Sequence, residues 1–186
     1  MNGSATEADV VVIGSGASGL AAALTAAEGG ARVVLFEKQR TPGGTSNFFE
    51  GIFAVESDLQ REHYVDYSRD EAFRNIMEYS HWRANPRLVR AIVDESGPTI
   101  RWLQKHGVGF HGVTINMPRS PRTYHIVAGT GLAVVKALVT AAKGLGVDFR
   151  LATPVARILK EGPRVAGVTA EDDAGDVRVG ARAVVV

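Results

Sequence analysis

Four residues near the start of the chain, Gly14, Gly16, Gly19 and Glu37, have the types and the spacing to hold a dinucleotide. Gly14 permits a tight turn out of a strand. Gly16 lets the backbone approach a pyrophosphate, and Gly19 lets the following helix pack close to the sheet. Glu37 follows Gly19 by eighteen residues. A carboxylate at that distance accepts hydrogen bonds from ribose hydroxyls and repels a 2′-phosphate, which suits FAD or NAD and not NADP.

Such residues need elements to position them, and the flanking sequence supplies these. Residues 9–13 form a short apolar run of strand type, residues 20–28 are Ala-rich and helical, and residues 32–36 form a second apolar run that ends on Glu37. The order is strand, glycine turn, helix, strand, acid. The helix N-terminus adds free N–H groups and a partial positive charge where phosphates would lie. A lone GxGxxG carries little weight in a chain with 21 glycines; its flanks and the acid make it specific. The plainer alternative is a βαβ unit whose glycines serve packing alone.

The segment after Glu37 bears on the choice of nucleotide. It runs Lys38-Gln-Arg-Thr-Pro-Gly43-Gly44-Thr45-Ser46-Asn47 and reaches Gly51-Ile52 soon after. An NAD-binding unit would begin its second βα crossover about here. A loop rich in glycine and hydroxyls instead suits a second phosphate or a flavin edge, or serves as a flexible surface turn.

With these motifs together, the chain resembles the flavoprotein subunits of the fumarate reductase and succinate dehydrogenase family. The resemblance rests on Gly14-x-Gly16-x-x-Gly19-x-x-x-Ala23, Glu37-Lys38, Gly43-Gly44-Thr45 and Gly51-Ile52. The later segments Trp102-Leu103…Gly107-Val108 and Gly129-Thr-Gly131-Leu132 through Thr153-Pro154-Val155 agree with it less sharply. It implies FAD as cofactor. Gly14, Ser15, Gly16, Ala17, Ser18 and Gly19 would line the pyrophosphate, with Glu37 and Lys38 at the adenosine ribose. Gly43, Gly44, Thr45, Ser46 and Gly51 would run along the isoalloxazine side, and Val155 would hold the adenine through its backbone. Members with covalent flavin have a histidine where Gly44 stands, so the flavin here would be non-covalent. Catalytic residues in that family lie beyond the residues matched here, so none is assigned.

Composition narrows the classes. The 186 residues are 45% hydrophobic with a net charge of +1, enough for one domain with a real core and no pull toward nucleic acid or an anionic membrane. Without cysteine, disulfides, thiol catalysis and cysteine-held zinc or iron–sulfur sites are excluded within this chain. His63, His81, His106 and His111 have no metal-ligand spacing, and no metal is expected. The first nine residues lack the basic and apolar regions of a secretory signal, and no run approaches ~20 apolar residues. A cytoplasmic protein is expected.

Organisation follows from the patterning. The expected fold is α/β: a Rossmann-like parallel sheet of the glutathione-reductase type, with a helical insert and a three-stranded antiparallel meander. Residues 1–56 and 126–186 would form the nucleotide-binding sheet and residues 57–110 the insert. Within the insert, Ser68-x-x-Glu71 reads as a capping box and Asn85-Pro86 as an N-cap followed by a first-turn proline. A helical pattern from Leu88 to Leu103 breaks at Gly97-Pro98. Trp82 and Trp102 read as core. Residues 118–122 read as a solvated loop whose Arg119 and Arg122, beside Tyr124 and His125, could otherwise meet an anion. Alternating runs at 155–160, 164–171 and 176–186 make the meander. The apolar finish at residues 183–186 suggests an N-terminal part of a longer enzyme, without the family's capping domain and final flavin-binding segment.

The leading functional expectation is an FAD-dependent oxidoreductase that moves a hydride between flavin and a C–C bond next to a carbonyl or carboxylate. Its partners would be a small dicarboxylate or enone-type substrate and an electron donor protein. An NAD-dependent dehydrogenase domain and a non-catalytic nucleotide-binding module are the alternatives.

Overall fold

A computed structural model describes residues 6–186; the N-terminal stretch read for a targeting signal falls mostly outside them. In chain order the elements begin with β1 (Thr6–Ile13), α1 (Ala17–Glu28), β2 (Val33–Phe36), β3 (Gly51–Phe53), α2 (Asp58–Glu62), α3 (Arg69–Tyr79) and α4 (Pro86–Lys105). They continue with β4 (Phe110–Ile115), β5 (Arg122–Val127), α5 (Thr130–Gly144), β6 (Asp148–Arg150), β7 (Val155–Glu161), β8 (Arg164–Asp172) and β9 (Gly175–Val185). The described residues divide into two compact units, residues 6–47 with 135–186 and residues 48–134.

The first unit carries a six-stranded sheet in the order β6-β2-β1-β9-β8-β7. Its β6, β2, β1 and β9 run parallel to their neighbours, while β7, β8 and β9 form an antiparallel meander. β9 therefore belongs to both parts. All four residues of β2 are buried, as an uninterrupted apolar run in a covered parallel strand should be. One cluster gathers Val11, Val34, Phe36, Val168, Ala170 and Val179 from four strands. α1 buries Leu20, Ala23, Leu24 and Ala27, an i, i+3, i+4, i+7 stripe. Its end is set by Gly29-Gly30, Gly30 having φ +83°.

The second unit holds a three-stranded antiparallel sheet, β3-β5-β4, together with α2, α3 and α4. The strand patterns of the sequence do not announce this sheet, because β3 spans three residues and β4 and β5 are half exposed. The capping box at Ser68 and Glu71 is present, and Asn85 caps α4 through the N–H groups of Arg87 and Leu88. A second capping box, Ser57 with Gln60, opens α2.

Three expectations are corrected. α4 is continuous through Gly97-Pro98. Proline forgoes a backbone bond there at a cost of about 3 kcal/mol. Burial of Val89, Val93, Ile100 and Leu103 offsets this. Hydroxyls close local bonds on either side, Ser96 Oγ to the Val93 carbonyl (2.8 Å) and Thr99 Oγ1 to the Glu95 carbonyl (2.7 Å). Gly97 is required for packing, since a Cβ would lie 2.7 Å from the Val55 carbonyl. Trp82 is 62% exposed in a left-handed turn at φ +58°, so it is not core; Trp102 is half-buried with its ring 4.6 Å from that of His106. Arg122 is no loop residue: it opens β5, and its guanidinium donates to the Val113 carbonyl at 2.8 and 3.2 Å.

Candidate functional site: a glycine turn and a buried acid

The turn between β1 and α1 is built by two different glycine requirements. Gly14 has φ +98°, a conformation that glycine alone adopts freely. A Cβ at Gly19 would collide with the Gly14 carbonyl, so the helix sits against the turn only without a side chain there. Gly16 meets neither requirement. Its φ of −62° is ordinary, and a Cβ would approach nothing nearer than Ser46 Oγ at 3.5 Å. Nothing inside the protein asks for glycine at position 16. Glycine there leaves the backbone open at the turn.

Beside the turn is a shallow cleft lined by Gly14, Gly16, Ser18, Gly19, Val185 and Val186, at the C-terminal ends of β1 and β9, where open α/β sheets place their ligands. The first N–H groups of α1 have no carbonyl a turn behind them. Ala17 N–H is met by Ser46 Oγ at 3.0 Å, and Gly16 offers no side-chain cap. Ser18 is exposed at this helix end. These features fit the phosphates of a dinucleotide.

Glu37 closes the site from the end of β2. It is 7% exposed, and its carboxylate receives three donors. Oε2 accepts from Ser15 N–H (2.9 Å) and Ser15 Oγ (2.5 Å), and Oε1 accepts from Gln39 N–H (2.9 Å). Burial by itself raises the carboxyl pKa, but the Ser15 hydroxyl and the N–H groups of Gln39, Ser15 and Lys38 together overcome it, leaving Glu37 below the usual carboxylate range. Both Ser15 donors fall on Oε2, and Oε1 carries the Gln39 bond without them. Lys38 is exposed.

The loop after Glu37 is tied to the same place. Gly43 N–H donates to Ser15 Oγ at 3.0 Å, and Gly43 has φ +108°. A single 3₁₀ turn spans Gly44–Asn47, with Gly44 and Thr45 exposed. Thr153 N–H donates to the Glu37 carbonyl (3.0 Å) and Ala152 N–H to that of Gln39 (2.9 Å), which brings the approach to Val155 beside the acid. Gly51 falls in the second unit, where its lack of a side chain admits the Tyr124 ring, 2.5 Å from an added Cβ. The structure thus gathers residues 14–19, Glu37, Gly43 and Ser46 in one unit. Sequence reasoning did not find that Ser15 turns its hydroxyl inward, or that Ser46 caps α1. The signals were slight: a serine between two glycines at position 15, and a serine in a loop rich in glycine and hydroxyls at position 46.

The second unit has a buried polar cluster of another kind. Ser57 and His125, both fully buried, lie 2.6 Å apart, Oγ to Nε2. Ser57 Oγ accepts from Gln60 N–H (3.0 Å); the Thr123 carbonyl beside Nδ1 can only accept, so the neutral ring carries its proton on Nδ1 and Nε2 takes the Ser57 proton. His125 Nδ1 then donates to the Thr123 carbonyl (3.1 Å). Burial lowers the His125 pKa against the opposing effect of the Thr123 and Ile52 carbonyls. The ring is neutral and satisfied. Among the described residues, no group of three or more histidine, aspartate or glutamate side chains is placed to hold a metal, and no helix is long and apolar enough to cross a membrane.

Sheet order, glycine turn and buried acid define a dinucleotide-binding α/β domain. The profile of the FAD binding domain matches residues 9–186, and the chain belongs to that family, the FAD-binding domain of flavoproteins of the fumarate reductase and succinate dehydrogenase type. It is 43% identical over 146 residues to a vinyl phenol reductase of Lactiplantibacillus plantarum, covering 78% of this chain and 29% of the relative. It is 34% identical over 176 residues to an NADH:fumarate oxidoreductase of Klebsiella pneumoniae, covering 91% of this chain and 19% of the relative. Among solved structures, the open conformation of a flavocytochrome c3 fumarate reductase superposes with a TM-score of 0.89 at 26% identity, over 96% of this chain and 33% of that one. The chain spans less than a third of the length of these relatives.

Proposed function

We propose that this chain holds the nucleotide of FAD in a flavin-dependent oxidoreductase that acts on a C–C bond next to an activating group. The carrying observation is Gly16, a glycine that neither backbone conformation nor packing requires, set at the mouth of a helix with free N–H groups. In this reading residues 14–19 take the pyrophosphate, and Glu37 and Lys38 face the adenosine ribose. Gly43, Gly44, Thr45, Ser46 and Gly51 serve the isoalloxazine side, and the Val155 main chain meets the adenine. FAD, when bound, supplies the hydride chemistry; the residues of this chain bind and orient it. Glycine at position 44 has no side chain to form a bond to the flavin, so attachment is non-covalent. The relatives support the substrate class: one is named for vinyl phenol and one for fumarate, and both compounds contain a carbon–carbon double bond. An electron donor protein and a cytoplasmic location complete the proposal.

The test is Gly16→Ala in the full-length protein. Thermal stability of the apoprotein should hold within about 1 kcal/mol, while FAD affinity falls roughly tenfold or more. Unchanged affinity would remove the turn from the site. Denaturing and filtering the holoprotein should release FAD; flavin left on the polypeptide would overturn non-covalent attachment.

A further inference from the structure

We propose that Ser15 is a positioning residue of the nucleotide site, acting on FAD through Glu37 and not by touching the phosphates with its side chain. The proposal rests on the FAD-binding reading above. Ser15 is fully buried, although it sits between two turn glycines in a motif whose middle positions usually face a ligand. A serine hydroxyl has one proton to give and two lone pairs to accept with. Its proton goes to Glu37 Oε2 at 2.5 Å, 22 residues away in sequence. One lone pair accepts from Gly43 N–H at 3.0 Å, 28 residues away. The Ser15 N–H meets the same Oε2 at 2.9 Å. One residue thus grips the acid twice and pins the Gly43 loop to the same point.

The arrangement does more than satisfy a buried charge. A network meant only for stability gains little over apolar packing unless it is fully closed. This one is lopsided, because the two Ser15 bonds both fall on Oε2. The other oxygen, Oε1, accepts from Gln39 N–H at 2.9 Å and receives no bond from Ser15. Ser15 therefore fixes the rotation of the carboxylate and so the direction in which Oε1 accepts from the ribose.

A double-mutant cycle on the full-length enzyme tests this. FAD dissociation constants are measured on the apoprotein for wild type, Ser15→Ala, Glu37→Ala and the double variant, with circular dichroism confirming the fold of each. Ser15→Ala alone should weaken FAD roughly tenfold; in the Glu37→Ala background it should change the constant by less than about twofold. A merely structural serine would cost the same factor in both backgrounds, and that result would overturn the proposal, as would an unchanged constant for Ser15→Ala. Should Ser15→Ala not fold, Ser15→Cys, close in volume and a weak donor, carries the same cycle with the same expectation. Wild-type protein that binds no FAD would overturn the cofactor reading itself. Tight wild-type binding with equal factors in both backgrounds would overturn only the role of Ser15.

Discussion

The two units each bury a hydrogen-bonded ionisable group, and the two groups are held in opposite states. Glu37 in the first unit keeps its charge because three donors converge on it. His125 in the second unit loses its charge, because burial dominates and a hydroxyl donates to Nε2. The second network closes on itself: Ser57, Gln60 and His125 satisfy one another, and Gln60 Nε2 ends on the Arg122 carbonyl at 2.8 Å. The first network instead ties three separate segments together, at Ser15, Glu37 and Gly43. Burial of a polar group is thus a poor sign of a binding site. A held charge next to backbone with room for a ligand is the better sign.

The strongest way to break this contrast is at Gly19. Gly19→Ala forces a Cβ into the Gly14 carbonyl, a backbone clash that no rotamer relieves. It should destabilise the protein by about 3 kcal/mol, the upper end for overpacking, and abolish FAD binding. Gly16→Ala, three residues away, should leave stability intact. Equal melting temperatures for the two variants would refute the distinction between a packing glycine and a ligand glycine.

Glu37→Ala comes next. It removes the carboxylate proposed to accept from the ribose and strands the Ser15 hydroxyl and two N–H groups. FAD affinity should fall by about 1.5–3 kcal/mol, the range for a charge-assisted hydrogen bond. An unchanged FAD dissociation constant would take Glu37 out of the site.

Ser57→Ala sharpens the other side of the comparison. It removes the N-cap of α2 and leaves Nε2 of a buried histidine without its donor. Chemical denaturation should show a loss of about 1–3 kcal/mol with the FAD dissociation constant unchanged. A large change in FAD affinity would show that the closed network is functional after all.

The smallest effect is in pH. The His125 pKa is lowered on folding, so the unfolded chain takes up a proton first as pH falls past its ordinary value of 6.5. Stability should be level above that pH and decline below it, because the native ring resists protonation. Glu37 acts at lower pH: its depressed pKa gives a contribution present above 4.5 and lost as pH falls further. Denaturation of wild type and His125→Gln between pH 7 and 5 isolates the first effect. Parallel curves would show that His125 does not contribute to the slope.

Much of the first unit was legible in the sequence. Gly14, Gly19 and Glu37 announce themselves because a left-handed turn, a close helix approach and a strand-end acid each demand one residue type at a local spacing. The meander was legible because its strands are consecutive and separated by turn residues. The caps at Ser68 and Asn85 were legible for the same reason, as each interaction spans two or three residues. The sheet β3-β5-β4 was not, since pairing Ile52 with His125 is a matter of tertiary register between short, half-exposed strands. Pro98 misled because the local rule against proline in a helix was outweighed by a buried face that only the packed structure supplies.

By itself, then, the sequence determined that a βαβ turn would form and that a dinucleotide would suit it, because those features are local and set by backbone sterics and side-chain type. Only the tertiary structure decided which groups spend their hydrogen bonds on one another. Ser15, Glu37 and Gly43 meet across 22 and 28 residues of chain, and Ser57 meets His125 across 68. Contacts at such separations depend on how strands register and helices pack, and residue type alone carries no record of that.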